Sequence, residues 1–84
     1  MTKRLYAIRD LKMGSFMPIC LYDNDAVATR AFGDLVSKDR ESLIGLHPED
    51  FGLYFLGEID MDSGEIFASK PVSLCLASDF QKGV

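Results

Sequence analysis

Apolar positions along this chain follow two periods, and the switches between them mark the elements. Leu5-Tyr6-Ala7-Ile8-Arg9 is short, apolar and aromatic, and predicts a strand. Asp10 to Ser15 is turn-rich, with Gly14 able to take positive φ. Phe16 to Tyr22 is β-prone again. Pro18 has no amide to donate, which predicts an edge strand or a break near its start. From Asp23 to Val36 the period becomes helical. Ala28, Ala31, Phe32, Leu35 and Val36 share one face; Thr29, Arg30, Gly33, Asp34 and Ser37 share the other. Asp23 or Asn24 can cap the free amides, and Asp25 complements the positive end of the dipole. Gly33 costs about 1 kcal/mol relative to alanine at an exposed helix position, and either admits a close neighbour or is tolerated.

Residues 37–50 are polar and punctuated by Gly45 and Pro48, a loop with a single helical turn around Glu41–Ile44. Phe51 to Ile59 is the clearest strand. Phe51, Leu53, Phe55 and Ile59 alternate with Tyr54, Leu56 and Glu58. Glu65 to Ser69 is its hairpin partner, and Val72 to Ala77 reads as a fifth strand or an interface arm within residues 71–84. The order β-β-α-β-β gives an α+β fold: a small antiparallel sheet packed on one amphipathic helix, as a single domain over residues 1–84.

The run Gly57 to Phe67 holds four acids and two glycines. Its acids suggest a calcium loop, which places acids at positions 1, 3 and 5, glycine at 6 and glutamate at 12. Counting from Asp60, position 6 is Glu65 and position 12 is Pro71; moving glycine to position 6 puts Ile59 first. Neither register works. Asp62-Ser63-Gly64 instead supplies a hairpin turn between the flanking strands.

Composition narrows the function more than it names it. Of 84 residues, 48% are hydrophobic, enough for one core and some spare apolar surface for a partner or a second copy. No apolar stretch approaches the roughly 20 residues that span a bilayer, so a soluble intracellular protein is expected. Cys20 and Cys75 sit among apolar neighbours and are expected as free, buried thiols. Two cysteines and one histidine far apart make poor zinc ligands, and no metal or cofactor is implied. His47 heads a turn before Pro48, and no serine or cysteine motif marks a nucleophile; no catalytic residue is assigned.

The net charge is −4, unevenly spread. Residues 1–12 hold Lys3, Arg4, Arg9 and Lys12 against Asp10, a net of +3, while residues 13–84 total −7. Aromatic residues on strands with basic neighbours are the pattern of single-stranded nucleic-acid binding: Tyr6, Arg9, Tyr22 and Tyr54, near Lys3, Arg4, Lys12 and Arg30. The competing reading places most of these rings in a small core.

Several stretches recur in an order worth comparing: Leu5-Tyr6-Ala7-Ile8-Arg9-Asp10, Lys12-Met13-Gly14-Ser15-Phe16, Asn24 to Phe32, His47 to Tyr54, Gly57-Glu58-Ile59-Asp60 and Ser63-Gly64-Glu65-Ile66. Over about residues 4–67 the chain resembles the small nonstructural protein of the microviruses, the single-stranded DNA phages, especially the gokushovirus group. The resemblance implies a non-enzymatic accessory protein made in the cytoplasm of the infected bacterium. It would act in single-stranded DNA genome replication or packaging by binding DNA, viral or host replication proteins, or both. For DNA the expected contacts are Lys3, Arg4, Arg9, Lys12 and Arg30. The alternative is an acidic module that binds a host protein through Glu58, Asp60, Asp62 and Glu65 and touches no nucleic acid. A homodimer or small homo-oligomer is expected from the spare apolar surface and free strand edges.

Overall fold

A computed structural model describes residues 1–80. Five strands form one antiparallel sheet: β1 Thr2–Asp10, β2 Ser15–Phe16, β3 Cys20–Tyr22, β4 Phe51–Asp60 and β5 Ile66–Leu76. The order across the sheet is β2-β1-β4-β5, and β3 also pairs with β1 beyond β2. Helix α1 (Asp25–Lys38) follows β3, and a short α2 (Leu43–Leu46) leads into a 3-10 turn at Pro48–Asp50; a second 3-10 turn spans Ala77–Phe80. The α+β class is as expected. The expected second strand is two pieces, β2 and β3, because Pro18 interrupts pairing to β1 between them. The two expected C-terminal segments are instead one strand. Pairing jumps from Phe55 with Val72 to Gly57 with Ala68, so Ser69-Lys70-Pro71 bulge outward on a sheet edge, where proline needs no donor. The end of the expected arm, residues 81–84, lies outside the described residues.

Asn24 caps α1, its side chain accepting from the Val27 amide at 2.9 Å. Ser42 caps α2 in the same way. One core joins Tyr6, Ala28, Phe32, Val36, Ile44, Phe51, Leu53 and Ala77, so α1, α2 and the C-terminal 3-10 turn all contribute to the same side of the sheet. Each large apolar side chain buried there contributes roughly 1.5–3 kcal/mol.

The buried stripe of α1 is Ala28, Phe32, Gly33 and Val36, while Leu35 is exposed. This reverses the expected places of Gly33 and Leu35. The cause is tertiary: Phe80 packs edge-on to Phe32 at 5.9 Å and lies over Gly33, where a β-carbon would come within 2.7 Å of the ring. Alternation along β4 is also broken. Leu5 pairs with Gly57 but Tyr6 pairs with Phe55, so Leu56 is an extra residue and reverses the facing beyond it. Glu58 therefore faces the helix side beside Arg4, and Ile59 faces away, the reverse of strict alternation.

The two tight turns share one design. Asp10 accepts from the amides of Lys12 and Met13, and Asp60 from those of Asp62 and Ser63. Gly14 and Gly64 follow with φ of 74° and 79°. The acidic run is thus a hairpin turn. Gly57 is more constrained: φ is 144°, and a β-carbon would meet the Phe67 carbonyl oxygen at 2.4 Å. Nothing lies within 4 Å of a β-carbon at Gly64. Gly64→Ala should therefore cost about 1 kcal/mol, and Gly57→Ala about 3 kcal/mol, because backbone strain is joined by a backbone clash. Urea unfolding of the two variants checks the ranking, and equal losses would contradict it.

Candidate nucleic-acid interface

The five expected cations fall into separate environments. Lys3 makes an ion pair with Asp23 at the start of the helical entry. Arg4 is more heavily engaged. Its Nε donates to the Tyr6 hydroxyl at 3.0 Å and to Asp25 at 3.1 Å, its Nη1 lies 3.8 Å from Glu58, and its guanidinium sits 4.1 Å over the Phe55 ring. Tyr6 in turn donates to Asp25 at 2.6 Å. The hydrogen bond from Arg4 to Tyr6, with Asp25 adding to it, raises the guanidinium pKa further. Burial and the hydrogen bond to Asp25 push the Tyr6 hydroxyl up to about 12. Arg4 is thus built into the junction between β1 and the N-terminus of α1. Arg30 lies exposed on α1, and Lys12 lies exposed on the β1–β2 turn.

Arg9 is placed differently. Tyr6 and Ile8 belong to the helix side, so Leu5, Ala7 and Arg9 face away from the helix. Among the described residues Arg9 has no acidic partner: its Nη2 reaches the Gly14 carbonyl at 3.4 Å, and its guanidinium lies 4.9 Å over the Phe16 ring. Phe16, from β2, meets Tyr54, from β4, edge-on at 5.6 Å and 90°. Tyr54 leans over Gly52, where a β-carbon would approach its ring at 3.3 Å. Arg9, Phe16 and Tyr54 form a row on the face that α1 leaves uncovered.

Charge is sorted between the faces. By register, Arg4, Asp10, Glu58 and Asp60 lie on the helix side; β1 and β4 place no carboxylate on the other. That face combines Arg9, Phe16, Leu21, Tyr54 and Leu76 over Leu5, Ala7 and Gly52, which are buried, while Phe16, Leu21 and Leu76 are each about two-fifths exposed (37%, 42% and 37%). The aromatic candidates of the sequence divide accordingly. Tyr6 is fully buried, Tyr22 packs against it at 5.9 Å, and Tyr54 alone reaches the open face. Phe16 escaped notice because its partner across β1 depends on sheet order, which the sequence does not print.

Carboxylates of the hairpin tip are largely occupied. Asp62 accepts from the Met1 amino group at 2.7 Å, and the Met61 amide donates to the Met1 carbonyl at 2.7 Å. The backbone amides of Asp62 and Ser63 hold the Asp60 carboxyl below the usual carboxylate range. Glu58 serves Arg4, and Glu65 is exposed on the turn, its amide donating to the Ser63 hydroxyl.

Two further features complete the surface. An apolar groove of about 430 Å³ runs between α1 and β3, lined by residues including Tyr6, Met17, Cys20, Phe32 and Leu35. Cys20, at its edge, is exposed rather than buried as expected, because β3 lies at the margin of the sheet; Cys75 is half-buried, and burial raises its thiol pKa. Both thiols are free. Among the described residues, His47, Glu49 and Asp50 bring potential ligand atoms within 4.8 Å on the exposed 3-10 turn. No helix among these residues is long and apolar enough to cross a membrane.

The geometry of Tyr6 predicts an alkaline transition. A hydroxyl whose folded pKa lies above its unfolded value of about 10 stabilises the fold below that value, and the contribution disappears as pH rises towards 12. Ultraviolet titration should show one tyrosinate forming only near pH 12, and Tyr6→Phe should abolish that step while costing about 1–2 kcal/mol from the lost buried hydrogen bonds. Complete ionisation near the ordinary value would contradict the network.

A family model described as Phage ORF5 protein matches residues 3–80. No curated protein and no solved structure matches the chain.

Proposed function

The chain belongs to the Phage ORF5 protein family, and on that premise we propose that this phage protein is a non-enzymatic accessory factor of single-stranded DNA genome replication or packaging. It works in the cytoplasm of the infected bacterium by binding DNA, with protein contacts to viral or host replication factors in support. The observation that carries this reading is Arg9: a sheet cation without an acidic partner among the described residues, on the face that receives no carboxylate from β1 or β4. Lys12 lies on the turn that follows β1, where it shares a depression with Asp10, His47, Asp50 and Phe51. An acidic chain meets a phosphate backbone only where its own acids are turned away, and this sorting supplies such a place.

Within that reading the five cations have unequal roles. Lys3 and Arg4 already face Asp23, Asp25 and Glu58, so they hold the entry to α1. Arg9 and Lys12 meet phosphate, and Arg30 sits on the helix, away from them. Binding through the acidic tip is the less favoured alternative, because Asp60 and Asp62 are engaged by their own turn and by Met1.

Retention of a labelled single-stranded oligonucleotide should be strong at low salt and fall as salt rises. Arg9→Gln and Lys12→Gln should each lower the slope of log affinity against log salt by about one, the signature of one lost phosphate contact. Arg30→Gln should leave it unchanged. Absence of retention at low salt, or a slope that ignores Arg9, would contradict this assignment.

A further inference from the structure

We infer that the open sheet face is a base-stacking platform for single-stranded DNA, on which Tyr54 and Phe16 receive bases while Arg9 holds the backbone. The inference rests on the DNA-binding reading above and adds which strand form is chosen and how.

Three observations converge on one patch. First, among the described residues α1, α2 and the C-terminal 3-10 turn all pack on the opposite side, and Phe16, Leu21 and Leu76 stay partly exposed on this one. Second, the patch presents rings as well as apolar area. Phe16 and Tyr54 lie edge-on at 5.6 Å, Phe16 stays 37% exposed, and Tyr54 leans over Gly52. Third, among the described residues no carboxylate pairs with the cation next to the rings: Arg9 stacks on Phe16 and reaches the Gly14 carbonyl. Rings with an adjacent free cation fit a ligand that alternates flat bases with phosphates. A duplex hides its base faces and would meet the cation without the rings.

A second copy of the chain is the rival occupant, because apolar surface can also be covered by itself. Charge argues against it. A two-fold dimer across this face would bring Arg9 from both copies into an interface to which β1 and β4 contribute no carboxylate. A polyanion supplies the missing charge; the same face does not.

The test uses the full chain and three labelled ligands of equal length: oligothymidylate, an abasic strand of the same backbone, and a duplex. Fluorescence anisotropy at low salt should show oligothymidylate binding about tenfold tighter than the abasic strand, the lower part of the range for stacked bases. Tyr54→Leu and Phe16→Leu, which remove a ring but keep bulk, should each erase most of that difference while leaving abasic binding unchanged. Circular dichroism confirms the fold of each variant, and Phe16→Leu lies on a two-residue strand where folding is least exposed to the change. Equal affinity for thymidylate and abasic strands, with both bound, overturns stacking and leaves the DNA-binding reading intact. Failure of all three ligands to bind overturns both. Sedimentation showing a dimer that Tyr54→Asp dissociates assigns the face to self-association and overturns the inference.

Discussion

A sheet has two faces, and a chain this short has apolar helical surface for one. That constraint governs the molecule. Helix α1 spends its single stripe on the side of Tyr6 and Leu53, and α2 and the C-terminal turn add Ile44 and Ala77 to the same side. Among the described residues the other face is left to the strands. The junction that decides the side is polar: Arg4, Tyr6 and Asp25 join the third and fifth residues of β1 to the first turn of α1 through hydrogen bonds of 2.6–3.1 Å. Because Tyr6 is fully buried, its hydroxyl needs partners, and Asp25 supplies one only when the helix starts where it does.

Charge placement follows from the same arrangement. Carboxylates near β1 and β4 gather around Arg4 and the helix entry, or are folded into the turns at Asp10 and Asp60 as acceptors for backbone amides. The extra residue at Leu56 matters here, since it turns Glu58 towards Arg4 and Ile59 to the open side. A net-acidic chain thereby presents one face on which β1, β2 and β4 place Arg9, Phe16 and Tyr54 and no carboxylate. Surface ion pairs contribute little stability individually, so their main effect is to decide where charge is neutralised.

Much of the fold was legible in the chain. The helical period over residues 24–36, the cap at Asn24 and the turn chemistry of Asp62-Ser63-Gly64 are local signals, and local physics decides them. What was illegible depends on distant partners. Gly33 looked exposed because Phe80, which covers it, is far along the chain. One long β5 looked like two segments because a bulge at Ser69-Lys70-Pro71 is tolerable only on an edge, and edges are set by sheet order. The site was half legible for the same reason: Arg9 and Tyr54 stood out by residue type, whereas Phe16 joins them only through pairing across β1. Lys3 and Arg4 looked available until the fold brought Asp23, Asp25 and Glu58 to them.

The central claim is that the uncovered face is the working face. Amide-resolved NMR during titration with oligothymidylate tests it most directly. The account predicts shift changes at Ala7, Arg9, Phe16, Gly52 and Tyr54, with α1 from Asp25 to Lys38 undisturbed. Changes concentrated on α1 or on the turn from Asp60 to Glu65, with the open face silent, would contradict it.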